Sequence, residues 1–188
     1  MNKTMMDYRR TVSSSIQELR GEGLSVVLKL VVSYFLGEKP IKDFDKIKVH
    51  FYKKSYLEVG GPSFIFSSKS ILPIYKLLSN IDNVNFSDAT VWGARRLNPL
   101  FPRRILRHQF ITDATDLSNI KDGSYDCVIS SHVLEHVANP LRALFEWKRI
   151  LKTDGVLLLV LPHKQATFDH NRQITKLEHF ILDYEKRN

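Results

Sequence analysis

The stretch from Asp122 to Pro162 leaves this chain few ways to fold. Asp122-Gly123 is a turn signal ahead of an apolar run. Tyr125 to Ile129 is short, apolar and β-branched, the composition of a strand covered on both faces. Asn139-Pro140 is a helix start: the Asn side chain caps free amides, and Pro suits the first helical position because it has no amide to satisfy. Leu141, Leu144, Phe145 and Leu151 then recur at roughly helical spacing. Lys148, Arg149 and Lys152 gather near the end, where cations favour the helix dipole. Asp154-Gly155 turns the chain into six apolar residues, Val156 to Leu161, which predict a central parallel strand rather than an edge strand. Strand, helix and strand in this order form a βαβ unit, with a right-handed crossover.

A length of 188 residues suits one domain with a real core. The single cysteine, Cys127, excludes an internal disulfide framework and points to a reducing, cytoplasmic setting. Inside an apolar strand it reads as an inert core thiol. The net charge of +8 suits an acidic partner such as phosphate, nucleic acid or an anionic membrane, without choosing among them.

The N-terminus does not read as a secretory signal: Asp7, Arg9-Arg10 and Ser13 to Ser15 precede an apolar run from Leu24 to Leu36 that contains Lys29. The run is too short to cross a bilayer, which takes about 20 apolar residues. It reads as a helix packed on the domain, or as an interfacial helix giving peripheral membrane contact through residues 24–36. Gly37-Glu-Lys-Pro40 ends it, and the lysine-rich residues 41–54 read as a solvated connector. The expected division is an N-terminal helical segment and connector, 1–54, followed by one domain, 55–188.

Tyr56-Leu57-Glu58-Val59-Gly60-Gly61-Pro62-Ser63 reads as a strand and a glycine turn. Glycines at the end of a first strand let the backbone approach a ligand closely. Ile71 to Tyr75 is the expected second strand, and Gln109 to Thr112 the third, followed by Asp113-Ala114-Thr115-Asp116-Leu117. Asp82 lies 22 residues after Gly60, near where dinucleotide folds place a ribose-binding carboxylate. Asp82-Asn83 also reads as a turn pair, and Asp113 as a turn cap.

Taken together, these segments resemble a class I S-adenosylmethionine-dependent methyltransferase of the type 11 group, over roughly residues 55 to 184. The Gly-Gly-Pro-Ser opening resembles a subgroup found near glycan-biosynthesis enzymes. The resemblance implies an α/β, Rossmann-like, mostly parallel sheet flanked by helices, with strands near 56–59, 71–75, 109–112, 125–129 and 156–161. It implies S-adenosylmethionine as cofactor and methyl transfer to a small polar acceptor, such as a sugar or glycan precursor. By resemblance, Glu58 sits beneath the amino acid portion of the cofactor, while Gly60, Gly61 and Pro62 pass its ribose and methionine parts. Asp113 accepts from the adenine amino group, with the Ala114 amide near the ring. Asp82 substitutes for the ribose-binding acid, and Ser130 and His132 close the pocket. His136 and Arg172 contact the acceptor, and His163 and His170 act as base or orient it. The chain departs from the family pattern at Pro62 and Phe64, where glycines are usual. It departs again at Tyr75-Lys76, where an acid usually ends the second strand. The family's last two strands have no counterpart before Asn188, so the resemblance implies a terminal helix instead: Leu177, Phe180, Ile181 and Tyr184 recur at helical spacing. A bare strand edge beside 156–161 would favour self-association.

Two rival readings stay open. His132-Val-Leu-Glu135-His136 matches the inverted zinc-peptidase pattern, and on a helix its three polar residues would share a face. Its position directly after a buried strand argues against a peptidase, and no metal is expected. Arg95, Arg96, Arg103, Arg104 and Arg107, interleaved with Trp92, Phe101 and His108, suit a solvated surface, a phosphorylated or carboxylated acceptor, or RNA. The alternatives to a small-molecule enzyme are therefore an RNA methyltransferase and a non-catalytic binding homologue.

Overall fold

The computed structural model describes residues 38–52, 54–88, 105–167 and 170–186. The run 24–36 and residues Trp92, Arg95, Arg96, Phe101, Arg103 and Arg104 lie outside them. The compact unit considered below is Pro40–Asn188. Its helices are α1 (Phe44–Lys48), α2 (Pro140–Ile150) and α3 (Leu177–Glu185), and its strands are β1 (Tyr56–Val59), β2 (Ile81–Asn85), β3 (Leu106–Ile111), β4 (Tyr125–Ser131) and β5 (Leu151–Val160).

The five strands form one sheet in the order β3-β2-β1-β4-β5, every neighbouring pair parallel. Central β1 is buried at all four positions, with Leu57 opposite Asp82 of β2 and Val128 of β4. Alternate side chains go to opposite faces of a strand, and here each face has its own core. On one face Tyr56, Ile81, Cys127 and Ile129 pack against Phe51, Phe66, Ile74 and Tyr75. On the other, Leu57, Val59, Val84 and Val128 meet Ala143, Trp147 and Ile150 of α2, with Leu117 and Ile120. The Rossmann-like architecture is the expected one.

The start of α2 follows its sequence signal. Asn139 Oδ1 accepts the Arg142 amide at 3.0 Å and Pro140 occupies the first turn. The buried face differs from the expected one: it is Ala143, Trp147 and Ile150, while Phe145 stays more than half exposed and meets the Tyr184 ring of α3 at 5.1 Å. Cys127 is a buried free thiol, pushed up to about 11 chiefly by burial. This agrees with an inert core role.

Three expectations are corrected. Ile71 to Tyr75 is not a strand: Ile74–Lys76 is a 3₁₀ turn, and the second strand lies at Ile81–Asn85. Pro73 has no amide to give a sheet ladder, and a short buried apolar run reads the same in a packed turn as in a strand. Residues 41–54 are not wholly a solvated connector: most of the described ones are exposed, but Phe51 is 1% exposed in the core and Phe44 and Ile47 pack beside it. Finally, β5 is not the central strand that its apolar run predicts but the edge that the missing last strands imply. Among the described residues it pairs only with β4, and positions 156–160 are half-buried.

Asp154-Gly155 does not form a separate turn: both residues lie inside β5, at an irregularity in its pairing. The register steps from Tyr125 opposite Leu151 to Cys127 opposite Val156, so residues 152–155 bulge outward. A Cβ on Gly155 would crowd the Leu151 side chain and the Lys152 carbonyl. Beyond β5 the terminal helix forms as expected, and Asn139 Nδ2 donates to the Asp183 carbonyl at 2.9 Å, tying α3 to α2. Among the described residues, no helix is long and apolar enough to cross a membrane.

Candidate functional site

The chain runs outward from β1 to β2 and β3, then returns to the other side of β1 as β4. Ligands bind in open α/β sheets at this reversal, beyond the carboxyl ends of the strands. A cleft of about 680 Å³ lies there, within the size range of small-molecule sites. Each strand end contributes: Val59 and Gly60 after β1, Asn85 and Phe86 after β2, Thr112 to Ala114 after β3, and His132 and Val133 after β4. His136 to Ala138 complete the wall.

Gly60 has φ +83°, a left-handed conformation that glycine adopts without a steric penalty. Its amide donates to the Val84 carbonyl at 2.8 Å, and a Cβ there would run into the Val133 side chain. Gly61 lies on the Glu58 carboxyl so closely that a Cβ would overlap it. Glu58 itself is fully buried. Its Oε1 accepts the Ser63 amide at 2.9 Å and its Oε2 the Tyr75 hydroxyl at 2.7 Å. Burial pushes this carboxyl up to about 7 against those hydrogen bonds, which pull it down. Glu58 therefore supports the glycine turn from below and is not part of the cleft wall. Pro62, joined to Gly61 by a cis peptide, does not line the cleft either.

Asp113 combines its two readings. Its Oδ1 accepts both the Thr115 amide at 2.7 Å and the Thr115 hydroxyl at 2.6 Å, which makes it a turn cap. Asp113 and Ala114 both line the cleft. The segment that carries them is gripped by α2. Trp147 Nε1 donates to the Ala114 carbonyl at 2.9 Å, and Arg142 Nε to the Thr115 carbonyl at 3.2 Å. Glu146 accepts the Leu117 amide at 2.9 Å, and Arg149 donates to the carbonyls of Leu117 and Ile120 at 2.8 and 2.9 Å.

His132 and His136 line the cleft. His132 has φ +55°, a strained value for a residue with a side chain. Its amide bonds the Val160 carbonyl at 3.0 Å, and its Nδ1 lies 2.8 Å from Ser131 Oγ. Leu134–His136 is a single 3₁₀ turn, so His132, Glu135 and His136 do not share a helical face. Among the described residues, no three metal-ligating side chains come together.

Other anticipated residues stand elsewhere. Asp82 is at the opposite end of the sheet, where it accepts from Tyr125 Oη at 2.7 Å, the His108 amide at 3.1 Å and Arg107 Nη2 at 3.2 Å. It lines a separate cavity of about 340 Å³. It lies near the start of β2, which begins at Ile81, and does not line the cleft. Ser130 is buried, its hydroxyl donating to the Val59 carbonyl at 3.0 Å. His163, His170 and Arg172 follow β5 on the exposed surface and do not line the cleft. Asn85 and Phe86 were missed because the second strand was expected ten residues too early. Asn85 is the polar residue that ends β2, and its amide donates to the Gly61 carbonyl at 2.9 Å.

Residues 68–159 match the family model described as a methyltransferase domain. The match covers 92 of the chain's 188 residues, just under half, and the parallel five-stranded sheet has the fold of S-adenosylmethionine-dependent methyltransferases. An S-adenosylmethionine-dependent methyltransferase from Aquifex aeolicus shares the fold, with a TM-score of 0.50 and 17% identity over 82% of this chain and 79% of that one. A Methanococcus maripaludis chain assigned as an S-adenosyl-L-methionine-dependent methyltransferase gives 0.46 at 16% identity, covering 62% of this chain and 52% of its own. An uncharacterised 37.1 kDa transposon protein of Streptomyces fradiae is 44% identical over 43 residues, 23% of this chain and 12% of that protein. The chain thus spans about half the length of the Methanococcus structure and a small fraction of the transposon protein.

Proposed function

We propose that this chain transfers a methyl group from S-adenosylmethionine to a small polar acceptor, such as a sugar or glycan precursor. The observation that carries the reading is the cleft at the sheet reversal, floored by Gly60 and flanked by Asp113. Its residues fit the cofactor. The glycine turn admits a ligand against bare backbone, Asp113 can accept from an adenine amino group, and buried Glu58 sets an acid beneath the turn. The place of the usual ribose-binding acid falls to Asn85, an acceptor without charge.

S-adenosylmethionine supplies a methyl group already activated on a sulfonium. Positioning then provides much of the catalysis, and a base is needed only where the acceptor must lose a proton. His163 and His170 are the proposed base or orienting groups, with His136 and Arg172 as acceptor contacts. The solitary core cysteine supports a cytoplasmic setting.

Calorimetry with S-adenosylmethionine tests the reading. The wild-type chain should bind, and Asp113→Ala should weaken binding by roughly tenfold or more, the value of a hydrogen bond to a charged group. Gly60→Leu should abolish it, but that side chain also meets Val133, so Asp113→Ala is the cleaner variant. Equal affinity in wild type and Asp113→Ala would defeat the site. Tight, steeply salt-dependent binding of RNA would move the acceptor to nucleic acid.

A further inference from the structure

We propose that Tyr75 is a positioning residue: it holds Glu58 as an anion beneath the glycine turn and fixes the path of that turn for a cationic ligand. The inference rests on the methyltransferase reading above and extends it to a residue outside the cleft.

The geometry is a closed ring of three groups. Tyr75 Oη donates to Glu58 Oε2 at 2.7 Å and accepts the Ser63 amide at 2.8 Å, while the same amide reaches Glu58 Oε1 at 2.9 Å. Both carboxyl oxygens are thus acceptors, the arrangement suited to the ionised form. Tyr75 is 4% exposed, and its ring meets Phe66 edge-on at 6.2 Å, so the hydroxyl has little room to turn away. Gly61 rests directly on the carboxyl, so moving Glu58 moves the turn. Asn85 grips the turn from the other side, through the Gly61 carbonyl.

The need for such a device follows from burial. A carboxyl sealed from water prefers its neutral form, and only hydrogen bonds or opposite charges reverse that. Among the described residues, the groups that bond Glu58 include no cation. Tyr75 comes from the 3₁₀ turn, Ser63 from the glycine turn, and the neutral Asn83 of β2 donates to the Glu58 carbonyl at 3.2 Å. On β4 its register partner is the apolar Ile129. The Tyr75 hydroxyl is therefore the one titratable partner that Glu58 has among the described residues. S-adenosylmethionine carries a sulfonium and an ammonium, and an anion under the turn favours both.

The experiment pairs two readouts. Carboxyl titration of Glu58 by ¹³C NMR uses the protein without ligand, and calorimetry uses S-adenosylhomocysteine between about pH 5.5 and 8.5. Tyr75→Phe should raise the Glu58 midpoint by about one pH unit. It should weaken binding about tenfold near neutrality, and the deficit should shrink at the alkaline end as Glu58 ionises. A midpoint that stays in place overturns the proposal, whether affinity is unchanged or falls equally at every pH, because the residue would then only pack. If the variant does not fold, ring-fluorinated tyrosine at position 75 keeps the shape and strengthens donation. It should lower the midpoint, and no movement would again overturn the proposal. A wild-type chain that binds no S-adenosylhomocysteine defeats the functional reading and this inference together. Binding by wild type with an indifferent Tyr75→Phe defeats the inference alone.

Discussion

Glu58→Gln raises the unfolding midpoint above pH 7 and leaves it nearly unchanged below about pH 5. The wild-type carboxyl is fully buried and pushed up to about 7, against an ordinary value of 4.5. Relative to the unfolded chain, the folded state therefore favours the protonated acid. Its contribution to stability is fully present below the unfolded value and is lost as pH rises through about 7. The full difference corresponds to roughly 3 kcal/mol, spread between about pH 4.5 and 7. Glutamine keeps the size and cannot ionise, so the slope across that window should vanish. Asp126 does not confuse the reading, because it is shifted the other way. The Ser55 amide, Ser55 hydroxyl and Lys152 hold it down to about 2, so its contribution is lost only in stronger acid. Thermal melts of both proteins across pH 4 to 9 decide the matter. Parallel curves for the two would show that Glu58 ionises in the folded state at its unfolded value, solvated in a way the buried geometry does not allow.

The legible parts of the fold were those where local signals agreed with tertiary need. Asn139-Pro140 is both a cap by chemistry and a cap by position. The apolar run after Tyr125 is buried on both sides because β4 lies between β1 and β5. The βαβ order of that block, with β1 and its glycine turn, gave the reversal of the sheet and hence the place of the cleft. Gly60, Asp113, Ala114 and His132 all reach it.

The second strand was illegible for a physical reason. Ile81-Asp-Asn-Val-Asn85 is buried at every position yet carries three polar side chains, so neither alternation nor an apolar run marks it. Each polar group is satisfied by a distant partner that the sequence does not reveal. Asp82 bonds Tyr125 and Arg107, Asn83 bonds the Glu58 carbonyl, and Asn85 bonds the Gly61 carbonyl. The apolar run at 71–75 competed for the assignment and won on pattern alone. That one displacement moved the expected ribose contact to Asp82, at the far end of the sheet, and hid Asn85. The same displacement made Tyr75 look like a failed ribose ligand, when its hydroxyl serves Glu58. The grip of α2 on residues 114–120 was hidden likewise: Arg149 reads as a cation that favours the helix dipole, and its carbonyl partners lie 29 and 32 residues away in sequence.

Trp147 is where core and site meet, and two substitutions there should separate the roles. Among the described residues its side chain is the largest that is fully buried, packed with Leu57, Val128 and Ile150 on one face of the sheet. Trp147→Ala should cost about 3–5 kcal/mol, a large part of the stability of a domain this size. Trp147→Phe keeps most of the apolar contact but removes the indole N–H that holds the Ala114 carbonyl at 2.9 Å. The unpaired carbonyl should cost about 1–3 kcal/mol. Arg142, Glu146 and Arg149 still hold the rest of the segment, so the fold should survive. What loosens is the turn that carries Asp113. Affinity for S-adenosylhomocysteine should therefore fall in Trp147→Phe, under conditions where the protein is still fully folded. Urea denaturation gives the stability change, and calorimetry on the folded variant gives the binding change. A Trp147→Phe protein with lowered stability and wild-type affinity would confine Trp147 to the core. One that matches wild type in both would mean that the indole hydrogen bond to Ala114 contributes nothing.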